Sequence, residues 1–229
     1  MNHTKTYTDL QPAPQLPTTY NTRWRALTHL EVEQLRHTVW GWRCLPNTTQ
    51  HDMLMLDRNR AIALLLISTG ITLDELCALN VSDMKQSASG QWNLVVWRGN
   101  RVIPLEYDVL KSVNRWLTLC QLIYADPAPK PLFFSRKRTR ITRGAVVDVL
   151  DRLKAESKIA FDPFALRHAF IRQMLSRGYL EEEVAAMLGR PSRSVIRMYA
   201  DVNALIVLRS QLGGEPTNIT RSKHAIAID

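Results

Sequence analysis

Cysteine is scarce in this chain: Cys44, Cys77 and Cys120 are the only three in 229 residues, widely scattered and without a CxxC spacing. That excludes a disulfide framework and leaves no grouping for a zinc site. A reducing cytoplasm fits such usage. Long apolar runs are missing as well. The stretch AIALLLI is too short to cross a bilayer, and the N-terminal MNHTKTYTDLQPAPQLPTTYNTRWR holds no apolar segment of signal-peptide type. The expectation is a soluble intracellular protein with neither metal nor cofactor. Acidic residues are the third shortfall: 21 Asp+Glu face 30 Lys+Arg, which leaves a formal charge of +9 and a pI near 9.8. The default partner is then a polyanion, chiefly nucleic acid. What the chain does have is 45% hydrophobic residues, enough for one sizeable core.

Residues 1–22, rich in Thr, Pro, Gln and Asn, read as a flexible arm. Thr28 and Glu31 then form a capping-box pattern, with Leu30, Val32 and Leu35 supporting a helix that Pro46 and Asn47 end. Asp57 is expected to cap RNRAIALLLIST, apolar nearly all round and therefore central, which stops at Gly70. Leu73, Leu76 and Leu79 share a face of a short helix. After the polar turn KQSASGQ, the segments WNLVVW and RVIPL read as a hairpin around Arg98, Gly99 and Asn100. Tyr107 to Tyr124 carries Val109, Leu110, Val113, Trp116 and Leu117 at helical spacing until DPAPKP breaks it. LFF and the basic loop SRKRTRITRG precede a helix AVVDVLDRLKAES. Three further helices are expected, in FDPFALRHAFIRQMLSRG, LEEEVAAMLG and SRSVIRMY, then a terminal helix with Leu205, Ile206 and Leu208. The fold class is α+β, mostly helical with a small antiparallel hairpin, over residues 23–212, followed by a tail at 213–229.

The order of these motifs is informative. A helix ending STGITLDEL, a hairpin, LFFSRKRTRITR, PFALRHAF and LGRPSRSVIRMYADV together resemble the catalytic domain of the tyrosine recombinase (phage integrase) family, from about Leu27 to Val202. The resemblance implies that family's fold and a double-stranded DNA partner. In the family a tyrosine attacks a DNA phosphate while two arginines and other donors stabilise the developing charge, and a lysine or histidine helps protonate the leaving oxygen. Tyrosine, with an ordinary pKa of about 10, needs that surround. Carried over position by position, Tyr199 and Arg167 are retained. Thr72 stands where the family has the arginine of a TGLRxSEL-like stretch, and Phe164 stands for the histidine of HxxR. Arg98 replaces the lysine of a GKGN-like turn and is a poor proton donor, and Arg190 replaces the histidine or tryptophan of an LGH-like stretch.

Losing one preorganised donor costs about 3 to 4 kcal/mol in a transition state. The resemblance therefore leads to an expectation of no working catalytic residues: a non-enzymatic accessory or regulatory DNA-binding protein, placed on a plasmid or other mobile element by family association alone. The alternative is an active recombinase using Tyr199, in which Arg190, Arg98 or a basic residue of the 136–143 loop fills the empty position. Arg136, Lys137, Arg138, Arg140 and Arg143 lie in one loop with no acidic residue, and Arg190, Arg193 and Arg197 line one helical face. With Arg98 and Arg167 they form the candidate DNA-binding set. The plainer readings are a solvated charge run, a core or interface Tyr199, an Arg167 that satisfies carbonyls, and a His168 in the core or supporting Arg167 from behind. A rival is a helix-turn-helix regulator, with Ala185, Gly189 and Val195 at the packing positions and recognition from Arg193. Only a short arm precedes Leu27, so the family's N-terminal clamp domain is expected to be absent, as in short fimbrial-switch recombinases. The segment from Asn203 is expected to dock on a neighbouring protomer of a homo-oligomer.

Overall fold

Thr49, eight residues before Asp57, opens the central helix. The computed structural model describes residues 27–44, 46–96, 101–124 and 130–189, and in it α2 runs Gln50–Thr69. The Thr49 hydroxyl accepts the Asp52 N–H and Asp52 reaches back to the Thr49 N–H, a complete capping box. Asp57 is therefore not a cap. It lies buried inside the helix, where its carboxylate pairs with Arg60 and, at 3.0 Å, with Arg115. Beyond it every residue from Arg60 to Thr69 is buried, the apolar-all-round pattern of a helix enclosed by others.

Those others are α1 (His29–Gly41), α4 (Tyr107–Ile123), α5 (Arg143–Ser157) and α6 (Pro163–Ser176), all packed on α2. The expected capping box at Thr28 and Glu31 is present. The helix ends at Gly41, short of Pro46, because Arg60 captures the chain there by donating to the Trp42 carbonyl at 2.8 Å and to the Val39 carbonyl at 3.4 Å. In α4 Trp116 lies tilted against Phe134, with ring centroids 4.8 Å apart, and its indole N–H donates to the Leu132 carbonyl at 2.8 Å. Fully buried aromatics of this size contribute about 1.5–3 kcal/mol each.

The sheet has three antiparallel strands in the order β1 (Met84–Gln86), β2 (Trp92–Val96), β3 (Arg101–Pro104), with Leu94 paired to Met84 on one side and Ile103 on the other. The hairpin is as expected. β1 is additional: three residues ahead of the Ser87–Gly90 turn give too short an alternation to be read. A short α3 (Leu73–Ala78) follows Gly70, and α7 (Glu181–Leu188) packs on β3. Asp162 caps α6 by accepting the Ala165 N–H at 2.7 Å, with Pro163 in the first turn. The arm 1–22, the turn at 97–100, the SRSVIRMY helix, the terminal helix and the tail lie outside the described residues.

Candidate active site

Four chain segments meet at one end of α2. Gly70 ends that helix in the left-handed region at φ +62°, and an added Cβ would stand 2.8 Å from the Phe170 ring, so glycine is required twice over. Its carbonyl accepts Arg167 Nη1 at 2.8 Å. Arg167, one turn into α6, also donates through Nη2 to the Leu188 carbonyl at 2.6 Å. It thus joins the end of α2 to the end of α7. Burial lowers its pKa, the Glu75 carboxylate opposes that, and Arg101 adds to it.

Thr72 is the N-cap of α3. Its hydroxyl accepts the Glu75 N–H at 3.2 Å, and Glu75 Oε2 accepts the Thr72 N–H at 2.8 Å. The other oxygen, Oε1, pairs with Arg101. Arg101, first residue of β3, is only 3% exposed. Its Nη1 donates to the Met187 carbonyl at 3.3 Å, and its side chain fills the space beside Gly189, where a Cβ would be 2.8 Å from Cδ. Gly189 is itself left-handed at φ +71°. Phe164 is 59% exposed next to this constellation, on the turn that precedes Arg167. His168 is buried behind it.

Arg101 and Glu75 went unread in the sequence. The signal was available: in β3 Arg101 alternates with Val102 and shares the inward face with Ile103, and a charged residue at an inward strand position needs a buried partner.

The basic loop is differentiated rather than uniform. Arg140 donates through Nη1 to the carbonyls of Cys77, Ala78 and Leu79 at 2.8–3.0 Å and through Nη2 to Asn80 at 2.7 Å, closing the C-terminal end of α3. Arg136 pairs with Asp52 at 2.5 Å and Arg143 with Asp74 at 3.0 Å, and both arginines are more than 60% exposed. Such exposed pairs are worth about 0–1 kcal/mol and yield readily to a phosphate. Arg138, left-handed at φ +60°, lies 4.9 Å over the Tyr124 ring, and Lys137 is exposed at the tip. Arg98, Arg190, Arg193, Arg197 and Tyr199, with Val195 of the helix-turn-helix reading, lie outside the described residues.

The model of the phage integrase family matches residues 25–205. The chain belongs to the phage integrase family. Among similar proteins, the tyrosine recombinase XerC of Bradyrhizobium diazoefficiens is 25% identical over 171 residues, covering 73% of this chain and 53% of that protein. XerC of Corynebacterium glutamicum is 30% identical over 160 residues, covering 69% of this chain and 50% of its own length. This phage integrase family chain thus spans about half the length of the curated relatives it matches. In fold it is similar to the XerA recombinase (TM-score 0.65, 21% identity, 90% of this chain and 68% of that one). It is also similar to the XerH site-specific recombinase bound to palindromic difH substrate in a post-cleavage complex (TM-score 0.67, 17% identity, 86% and 55%). No helix among the described residues is long and apolar enough to cross a membrane.

The expectation of a non-enzyme does not stand. The relatives matched along about two thirds or more of the chain are named tyrosine recombinases, which are enzymes. Groups that act as a unit are strongly non-additive, so the replacements at Thr72, Phe164 and Arg190 do not by themselves fix the activity. Arg101 brings a second guanidinium beside Arg167.

Proposed function

We propose that this chain is the strand-exchanging domain of a site-specific DNA recombinase. Duplex DNA is held through phosphate contacts by Arg167, the 136–143 loop and the basic residues Arg98, Arg190, Arg193 and Arg197. The Tyr199 hydroxyl gives up its proton as its oxygen attacks a backbone phosphorus, the bond to the 5′ oxygen breaks, and that oxygen takes up a proton; the resulting phosphotyrosine is resolved by attack of a 5′ hydroxyl, which restores the protonated Tyr199. Arg167 neutralises charge on the phosphate in the transition state. The observation that carries this reading is the position of Arg167. It is braced by the Gly70 and Leu188 carbonyls at the junction of α2, α6 and α7, in a chain whose family match extends through Tyr199. A plasmid or other mobile element as the setting, and a homo-oligomer formed through the segment from Asn203, belong to the same proposal.

Footprinting on DNA flanking the chain's own gene identifies a bound segment, and a nicked duplex of that segment then serves as a trap for the covalent intermediate. A protein–DNA adduct resistant to denaturant, lost in Tyr199→Phe, is the expected result. Tight binding with no adduct from the wild type refutes strand exchange, and no salt-sensitive binding at all refutes the DNA role.

A further inference from the structure

The carboxylate of Glu75 sits in an awkward place for a protein that grips phosphate. It is within electrostatic reach of Arg167, and its side chain is only 12% exposed, so solvent screens it poorly. Left alone, it would compete with an incoming phosphate for the Arg167 guanidinium. Position 72 is where a compensating side chain would most simply come from, because Glu75 Oε2 already touches the Thr72 N–H. Threonine carries no charge to do it.

The compensation comes from elsewhere. Arg101, reaching in from β3, pairs with Glu75 Oε1, and its own desolvation is met by that ion pair and the Met187 carbonyl. The two guanidiniums end on consecutive carbonyls of α7, Arg101 on Met187 and Arg167 on Leu188. Two positive groups against one carboxylate leave a single net positive charge, the amount that matches one phosphodiester. Without Arg101 the sum is zero.

We propose that Arg101 is a positioning residue that takes over from position 72 the neutralisation of Glu75, and so keeps the Arg167 guanidinium available to a DNA phosphate. The role of Arg101 toward Glu75 stands on geometry alone, and its link to phosphate rests on the DNA reading above. Gly189 belongs to the same device, since any side chain there would displace the Arg101 stem. The arrangement extends along the chain from α3 to the turn before Arg190.

The test uses the full chain and two readouts. The Nε–Hε NMR signal of Arg167, identified by its loss in Arg167→Lys, reports its surroundings without any ligand. It should move in Arg101→Gln and return toward the wild-type position in the R101Q/E75Q double variant, in which the buried pair is neutral and the fold has no uncompensated charge. Binding of a fluorescein-labelled duplex as a function of salt is the second readout. Arg101→Gln should weaken it roughly tenfold and lower the slope of log K against log salt by about one, as the loss of one phosphate contact does. Adding Glu75→Gln should restore both, and Arg101→Lys should fall less than Arg101→Gln. An unmoved Arg167 signal, or binding that Glu75→Gln fails to restore in a folded double variant, overturns the proposal. If the Arg167 signal responds as stated while the wild type ignores duplex, the neutralisation of Glu75 holds and the DNA reading is what fails.

Discussion

His168 follows Arg167 and lies buried in the core, where burial pushes its pKa below the ordinary imidazole value; Asp162 opposes the shift and Arg167 adds to it. Its neutral form is the folded one. Below about pH 6.5 the unfolded chain therefore binds more protons than the folded one, so stability is complete above that pH and declines as pH falls through it toward the folded value. The urea midpoint should drop between about pH 7.5 and about pH 5.5, and His168→Gln should flatten that dependence. A midpoint equally pH-sensitive in the variant would contradict this. The residue scale also shows what a motif comparison leaves out. Thr72 was legible as an arginine that is not there. Its actual task was equally legible, because Thr72 and Glu75 repeat the spacing of Thr28 and Glu31. Arg101 stands three residues after Arg98, and its burial depends on a partner 26 positions away, which periodicity does not report.

Among the elements, α3 is short and owes its ends to side chains: Thr72 at its start, Arg140 at its finish. One loop that looked like a uniform basic run thus contains residues of different kinds. Arg140→Ala should lower the thermal midpoint by about 2–8 °C, as loss of a multiply hydrogen-bonded guanidinium worth about 1–2 kcal/mol does in a chain of this size. Lys137→Ala should leave the midpoint unchanged and reduce the salt slope of DNA binding by about one. Calorimetry and a binding titration on both variants check the division; equal effects in both assays would erase it. The sequence could not separate the two because both are basic, and only the bridge between Phe134 and Arg140 brings Arg140 under the α3 carbonyls. The start of α2 was misread for a related reason. Asp57 is a residue type that caps helices, and what removes it from that role is Arg60, one turn on, together with Arg115 on another helix.

At the scale of the molecule, fold class and motif order were readable because they rest on long features: an apolar helix, a hairpin, and Arg167 at a fixed place after them. The use made of each polar residue was not, because it depends on which carbonyl or carboxylate the packing delivers. The enclosure of α2 has one more consequence. Its amides between Ala61 and Ile67 sit under buried side chains on every side, with α1, α4, α5 and α6 packed around them. No local fraying can bring deuterium to them, so in native-state isotope labelling they should exchange last and together, at a rate set by opening of the entire domain. The same labelling at α3 should be far faster. The chain would then carry α3, with Thr72 and Glu75 at its start, on a frame whose clock runs separately from that of the short helix, and early deuteration of residues 61–67 would show that no such division exists.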